Sequence, residues 1–524
     1  MVNHKLVVGV LALITSTASF SAEYVVKFKK NSEGFNRAVS QRAIGAAQVK
    51  RNHKAGNLVL VEVNKNTRQQ TAGVLADLMK NPEVEYVVEN FKFQAFDLPN
   101  DPEISKQWSV GKVSAEKAWK LGVGSRDVRV AVIDTGVDLQ HSDLKDNLWV
   151  NKKEVPGNGK DDDNNGYVDD IHGWDFFAKD ADPQDETSAQ NPGHGTHCSG
   201  IVGAVGDNGK GISGMSQRVS IMALRFLGAD GSGDLMAAVE SIDYAIANGA
   251  QVISASWGAA VSASQAQPIT EAISRANEKG ILFVAAASND GKNNDRFEVY
   301  PANTPLPNVI TVAASGNADS KPSWSNYGKA KVSLSSPGED IYSTLPKEKY
   351  GNLSGTSMAT PLVSGLSALV LSHNPDLNPV EMKALLQASG TKVAIETACD
   401  CRVDAAAAVE RARASSLTVI PQAATIAPEE TVQFTAMGGK GPYQFSASSD
   451  SVATIDEKGL LTAKAAGEMT VSVTDSKGEK NESLKIRVAV PETQAPNEEC
   501  PLGDPAMCQM MCVISPDLPW CQKG

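Results

Sequence analysis

Runs of apolar residues and helix-period patterns alternate through the middle of this 524-residue chain. Val128-Arg129-Val130-Ala131-Val132-Ile133 predicts a strand, as do Ser220 to Phe226, Val252 to Ala255, Ile281 to Ala286 and Val309 to Ala313. Between them, Leu235, Val239, Ile242 and Ile246 share one face of a helix over 235–248, with Asp234 placed to cap its start and Gly249 its end. Ile269, Ala272, Ile273 and Ala276 do the same over 269–279, and Gly280 closes that helix. Near-continuous apolar strands alternating with helices imply a doubly wound, mainly parallel α/β sheet covered on both faces. Ligands of such sheets bind at the carboxyl ends of the strands, and Asp134 stands at one of those ends.

The flanks read differently. Tyr24 to Phe28, Leu58 to Val63 and Glu83 to Val88 predict strands, and Thr71 to Lys80 a helix, so residues 23–98 form a small α+β unit. After 99–414, residues 415–490 switch to strand period. Val432, Phe434 and Ala436 alternate with polar positions, as do Leu484, Ile486, Val488 and Val490, which predicts an all-β sandwich. Residues 491–524 are a polar linker and a cysteine-rich tail.

Composition narrows the class. A net charge of −12 with no basic stripe argues against nucleic acid as a partner. Residues 1–22 read as a secretory signal: Lys5, an apolar core from Leu6 to Ile14, then Ser19-Phe20-Ser21-Ala22 for cleavage. The apolar run is too short to span a bilayer, so the expected product is exported and soluble, with the cell surface or periplasm as alternatives. Outside the cytosol, Cys500, Cys508, Cys512 and Cys521 imply two disulfides of open connectivity. Cys399 and Cys401 flank a single residue; a bridge there is expected to be strained and is left unassigned. Cys198 reads as a buried free thiol.

Three short motifs carry the chemistry: Asp134-Thr135-Gly136 after the first central strand, His194-Gly195-Thr196-His197 in a glycine-rich turn, and Gly355-Thr356-Ser357-Met358-Ala359 opening a helix. A serine nucleophile needs a base for its proton and a carboxylate to orient that base. Together the motifs resemble the subtilisin-like serine peptidase family over roughly residues 100–414. The resemblance implies a serine endopeptidase with Ser357 as nucleophile, His194 as base and Asp134 as its orienting carboxylate; His197, one turn on, reads as structural. It also implies Asn289, after Phe283 to Ser288, as the oxyanion donor. The family usually has glycine where this chain has Ser288.

The same matching implies that Gly231-Ser232-Gly233 and Ser256-Trp257-Gly258 are the edges that bind an extended peptide as an added strand. Val299 falls at the floor of the primary specificity pocket, where a valine would shorten it. Residues 23–98 resemble the family's inhibitory propeptide, cut off by the enzyme itself. The sandwich resembles bacterial Ig-like domains, which attach to surface or matrix ligands.

Calcium (Ca2+) is the expected cofactor. Asp161, Asp163, Asn165, the Tyr167 carbonyl and Asp169 follow the alternating oxygen pattern of an EF-hand-type loop, although His172 stands at the twelfth position in place of glutamate. Asp143, with the loop from Val205 to Gly211, resembles a second calcium site of the family.

Overall fold

The computed structural model describes residues 20–489, apart from 31, 66–67, 91–98, 415 and 423. The core of the expected signal and all four tail cysteines lie outside the described residues. The chain divides into two compact units, Met1–Asp97 and Leu98–Gly524.

The first unit is a five-stranded antiparallel sheet in the order Ala43–Ile44, Ala47–His53, Leu58–Lys65, Phe20–Phe28, Val84–Glu89. Its helices are Glu33–Gln41 and Arg68–Lys80. Val59, Val61 and Val63 are fully buried, as the two-residue period of a half-covered strand requires, and Phe35 and Leu78 of the helices join the same core. The helix Glu33–Gln41 and the strand Ala47–His53 lie in the amphipathic stretch between the predicted strands, to which the sequence reading assigned no element.

In the second unit, nine strands form one sheet in the order Thr391–Lys392, Cys401–Arg402, Leu334–Pro337, Val309–Ser315, Leu282–Ala286, Val252–Ala255, Gly124–Asp134, Arg218–Arg225, Gly173–Asp175. Every pairing is parallel except that of Thr391–Lys392 with Cys401–Arg402. The α/β expectation is therefore met by a mixed, mainly parallel sheet. Alternate side chains of the central strand serve opposite faces: Val130 and Val132 join one core, Ala131 and Ile133 the other. Helices His194–Gly203 and Thr356–His373 supply Val202, Leu366 and Leu369 to the first core. Helices Leu235–Ala247 and Gln267–Glu278 supply Ile242 and Ile273 to the second. Asp234 caps its helix as expected, accepting from Ala237 N at 2.9 Å. Because the chain order reverses beside Gly124–Asp134, Asp134 ends its strand at the switch point of the sheet.

The sandwich buries Val419, Phe434, Leu461, Val471, Val473, Ile486 and Val488. Leu484 departs from the expected alternation: it lies before the strand Ile486–Val488 and is 65% exposed. Ile420 and Met437 instead join the core of the α/β sheet, where their strands meet the helix Pro379–Ser389. Cys399 and Cys401 are joined by a disulfide, which pairs the two residues that spacing left unassigned; Cys198 is free and buried.

Candidate active site

Asp134 is 1% exposed at its side chain, and its Oδ1 accepts from Thr135 N at 2.8 Å and lies 2.7 Å from His194 Nδ1. That contact sets the imidazole so that Nε2 is left for another partner. Burial opposes a charge on His194, but the Asp134 carboxylate outweighs it and holds the imidazole pKa well above the ordinary histidine value. His197 is different. It is fully buried with Nε2 3.1 Å from Gly351 O, and burial pushes its pKa down to about 3.

Ser357 sits in the first turn of Thr356–His373, after Gly355, where backbone N–H groups have no helical acceptor. Its hydroxyl donates to Ser256 O at 3.1 Å rather than to the imidazole. Catalytic hydrogen bonds are often loose until substrate arrives, so this rotamer is compatible with a later turn toward His194. Asn289 accepts through Oδ1 from Thr356 N at 2.8 Å and Thr356 Oγ1 at 2.9 Å, which leaves its amide nitrogen free to donate. A Cβ built on Gly355 would lie 3.4 Å from Asn289 Nδ2 and 3.6 Å from Ser357 Cβ, so a donor and a hydroxyl flank one small space.

The profile of the Subtilase family matches residues 125–403, the span that holds all four of these side chains. The chain belongs to the subtilase family. A profile of the bacterial Ig-like domain, group 2, matches residues 414–486 of the sandwich. Thermitase from Thermoactinomyces vulgaris is 37% identical over 303 residues, 58% of this chain and 91% of that one. A thermophilic serine proteinase from a Bacillus species is 34% identical over 377 residues, 72% of this chain and 84% of its own. Among solved structures, a protease from Pseudoalteromonas arctica aligns with a TM-score of 0.50 at 29% identity, over 60% of this chain and 100% of that one. This subtilase is a serine endopeptidase.

Of the expected peptide-binding segments of the subtilase, 256–258 meets Ser357 through Ser256, and 231–233 forms a separate exposed turn. Gly231, with φ +79°, turns the chain so that Gly228 N bonds to Ser232 O at 2.8 Å, and Gly231, Ser232 and Gly233 stay exposed. Trp257 is half-buried, with its indole N–H on Ile133 O at 2.8 Å. It therefore braces the Asp134 strand. Gly258 faces Val299: a Cβ there would be 3.3 Å from Val299 Cγ1.

The oxygen-rich loop of the subtilase is arranged otherwise than its spacing implies. Glu154, Asp161 and Asp163 bring carboxylate oxygens within 4.8 Å of one another, an all-oxygen donor set that fits a hard cation. Asp169 turns away, accepting from Asn158 N at 3.2 Å and Gly159 N at 2.9 Å. Asn165 Oδ1 accepts from Tyr167 N, and the Tyr167 ring packs on Trp174 and Tyr244. Asp143 is fully buried and accepts from Asn208 Nδ2 at 2.7 Å and Ile212 N at 3.0 Å; burial raises its pKa. Asp101 binds the same loop, through Asp207 N, Asn208 N and Ser213 Oγ. Both carboxylates hold the loop around Asn208 through hydrogen bonds, and their oxygens are of the type that suits a hard cation.

Glu154, Asp101 and Asp185 escaped the sequence reading. Asp185 accepts from Thr135 Oγ1 at 2.9 Å, Thr196 N at 2.9 Å and Thr196 Oγ1 at 2.7 Å, tying the Asp134 turn to the His194 helix. Burial pushes its pKa up to about 6. A short spacing to His194 was its only signal, and nothing in that spacing distinguishes it from a loop aspartate.

Proposed function

We propose that this subtilase hydrolyses peptide bonds in extended protein segments through Ser357, His194 and Asp134, with Asn289 completing an oxyanion site. The observation that carries the reading is the 2.7 Å contact between a buried Asp134 and His194, on the helix packed against the one that Ser357 opens. On approach of a peptide carbonyl, the Ser357 hydroxyl turns from Ser256 O and passes its proton to His194 Nε2 as it attacks. The imidazolium, stabilised by Asp134, then protonates the leaving amine, and water repeats the cycle in reverse to release the acyl group. Negative charge on the carbonyl oxygen is met by Asn289 Nδ2 and by Ser357 N–H at the helix start.

The peptide lies between residues 231–233 and 256–258 as an added strand, and Val299 limits the primary side chain to moderate size. Calcium bound by Glu154, Asp161 and Asp163, and by Asp143 with Asp101, would supply charge compensation and hold their loops. Residues 23–98 act as an inhibitory propeptide that the enzyme removes after export; the 415–490 Ig-like domain provides attachment to a surface or matrix ligand.

The propeptide reading is tested by purifying Ser357→Ala and weighing it intact. It should keep residues 23–98, while the parent loses them. Equal loss from both would contradict self-processing.

A further inference from the structure

Around Asn289 the backbone is held in a conformation that its own sequence disfavours. Ser288 has φ +91°, a region that side chains other than glycine enter only under constraint. The Ser288 hydroxyl donates to Asp290 Oδ2 at 2.8 Å, and one distant residue adds bonds on both sides of the turn. Asn326 is fully buried, and its N–H donates to Ser288 O at 3.0 Å. Its Oδ1 accepts from Asp290 N at 3.0 Å and from Lys292 N at 2.9 Å. Its Nδ2 donates to Asn294 Oδ1 at 2.9 Å, and Asn294 Nδ2 donates to Ala287 O at 3.0 Å. The residues on both sides of Asn289 are thus tied to one buried asparagine, while the Asn289 side chain is anchored through Thr356.

We propose that Asn326 is a positioning residue for the oxyanion site, holding Ser288–Asp290 in the turn that aims the Asn289 amide beside Ser357. The inference rests on the reading of Asn289 as oxyanion donor. An oxyanion donor acts only when it is preorganised, because a bond that must first find its geometry is worth little in the transition state. With glycine at 288 the same turn would need less holding. A serine there needs the clamp.

The test compares Asn326→Ser, Asn326→Ala, Asn326→Ser combined with Ser288→Gly, and Asn289→Ala on one peptide substrate. Rates are normalised to the serine titratable by a fluorophosphonate, so that only folded molecules count. A serine at 326 keeps the backbone bond to Ser288 but cannot reach both N–H groups. Asn326→Ser should lower kcat about tenfold with KM changed less than about twofold, since misplacement acts on the transition state. Asn326→Ala should do at least as much, and Ser288→Gly should restore kcat severalfold in the Asn326→Ser background. A generally loosened fold would not be rescued by glycine. Unchanged kcat in Asn326→Ser, or no recovery on adding Ser288→Gly, overturns the proposal while Asn289→Ala remains impaired. If Asn289→Ala itself keeps full kcat, the oxyanion reading has failed, and the role of Asn326 falls with it.

Discussion

Ser256 and Ser357 are joined twice: the Ser256 hydroxyl donates to Ser357 O at 2.9 Å, and the Ser357 hydroxyl donates to Ser256 O at 3.1 Å. The first bond has a cause four residues along the helix. Pro361 has no N–H to give the Ser357 carbonyl, so that carbonyl takes Ser256 Oγ and, at 3.4 Å, Cys198 Sγ. The proline stands inside the helix and is tolerated because these two side chains replace the missing donor.

Ser256→Ala removes one of those donors and leaves Cys198. Stability should fall by about 1 kcal/mol, with turnover changed only a few-fold. Denaturant unfolding and peptide kinetics on the same preparation check this. A turnover loss beyond about tenfold at unchanged stability would place the Ser256 hydroxyl in the reaction itself.

The pH dependence follows from His194. Only the neutral imidazole accepts the serine proton, and Asp134 raises its pKa, so kcat/KM should fall on acidification with an apparent pKa above the ordinary value of about 6.5. The stability sign is opposite. A group whose pKa rises on folding stabilises the native state at low pH and ceases to do so as pH rises through the folded value. Protonation of His194 therefore inactivates without unfolding, and far-UV circular dichroism across the acid limb should stay flat. Asp134→Asn should cost about 10⁴ in kcat by fixing the wrong tautomer.

Chelation tests the cation sites. Removing calcium with a chelator should lower the thermal midpoint, and Asp161→Ala with Asp163→Ala should abolish part of that response. A ligand at about 100 times its Kd contributes about 2.7 kcal/mol. Asp169→Ala should leave the response intact, because its carboxylate faces Asn158 and Gly159. An equal loss with Asp169→Ala would restore the EF-hand-type spacing as the guide.

The Ig-like domain should not unfold alone. Ile420 and Met437 are 1% and 4% exposed within the α/β core, so calorimetry of residues 99–490 should show one coupled transition. Met437→Ala should cost about 2 kcal/mol or more through the cavity it leaves. Two independent transitions in the parent would contradict the shared core.

The central strands, the two capped helices, the strand end at Asp134 and the helix that begins beside Ser357 were legible because each is a local pattern: an apolar run, a helix period, a residue at a strand end. The His194 motif, expected in a glycine-rich turn, instead opens the helix His194–Gly203, because its glycines sit in close helix and turn packing rather than in a loop. What stayed hidden depends on contacts between distant segments. Glu154 joins Asp161 and Asp163 from seven or more positions away, and Asp101 meets Asn208 across 107. Leu484 reads as strand from its period, yet it precedes the strand that begins at Ile486 and faces solvent. Asn326 carries no motif at all; its meaning comes from a φ value at Ser288, which spacing does not encode.

Fluorophosphonate labelling followed by peptide mapping of the purified enzyme tests the central assignment most directly. The account predicts one labelled residue, Ser357, with labelling lost in His194→Ala and peptide hydrolysis disappearing in proportion to the label. Hydrolysis that persists in fully labelled protein, or label on another serine, would contradict it.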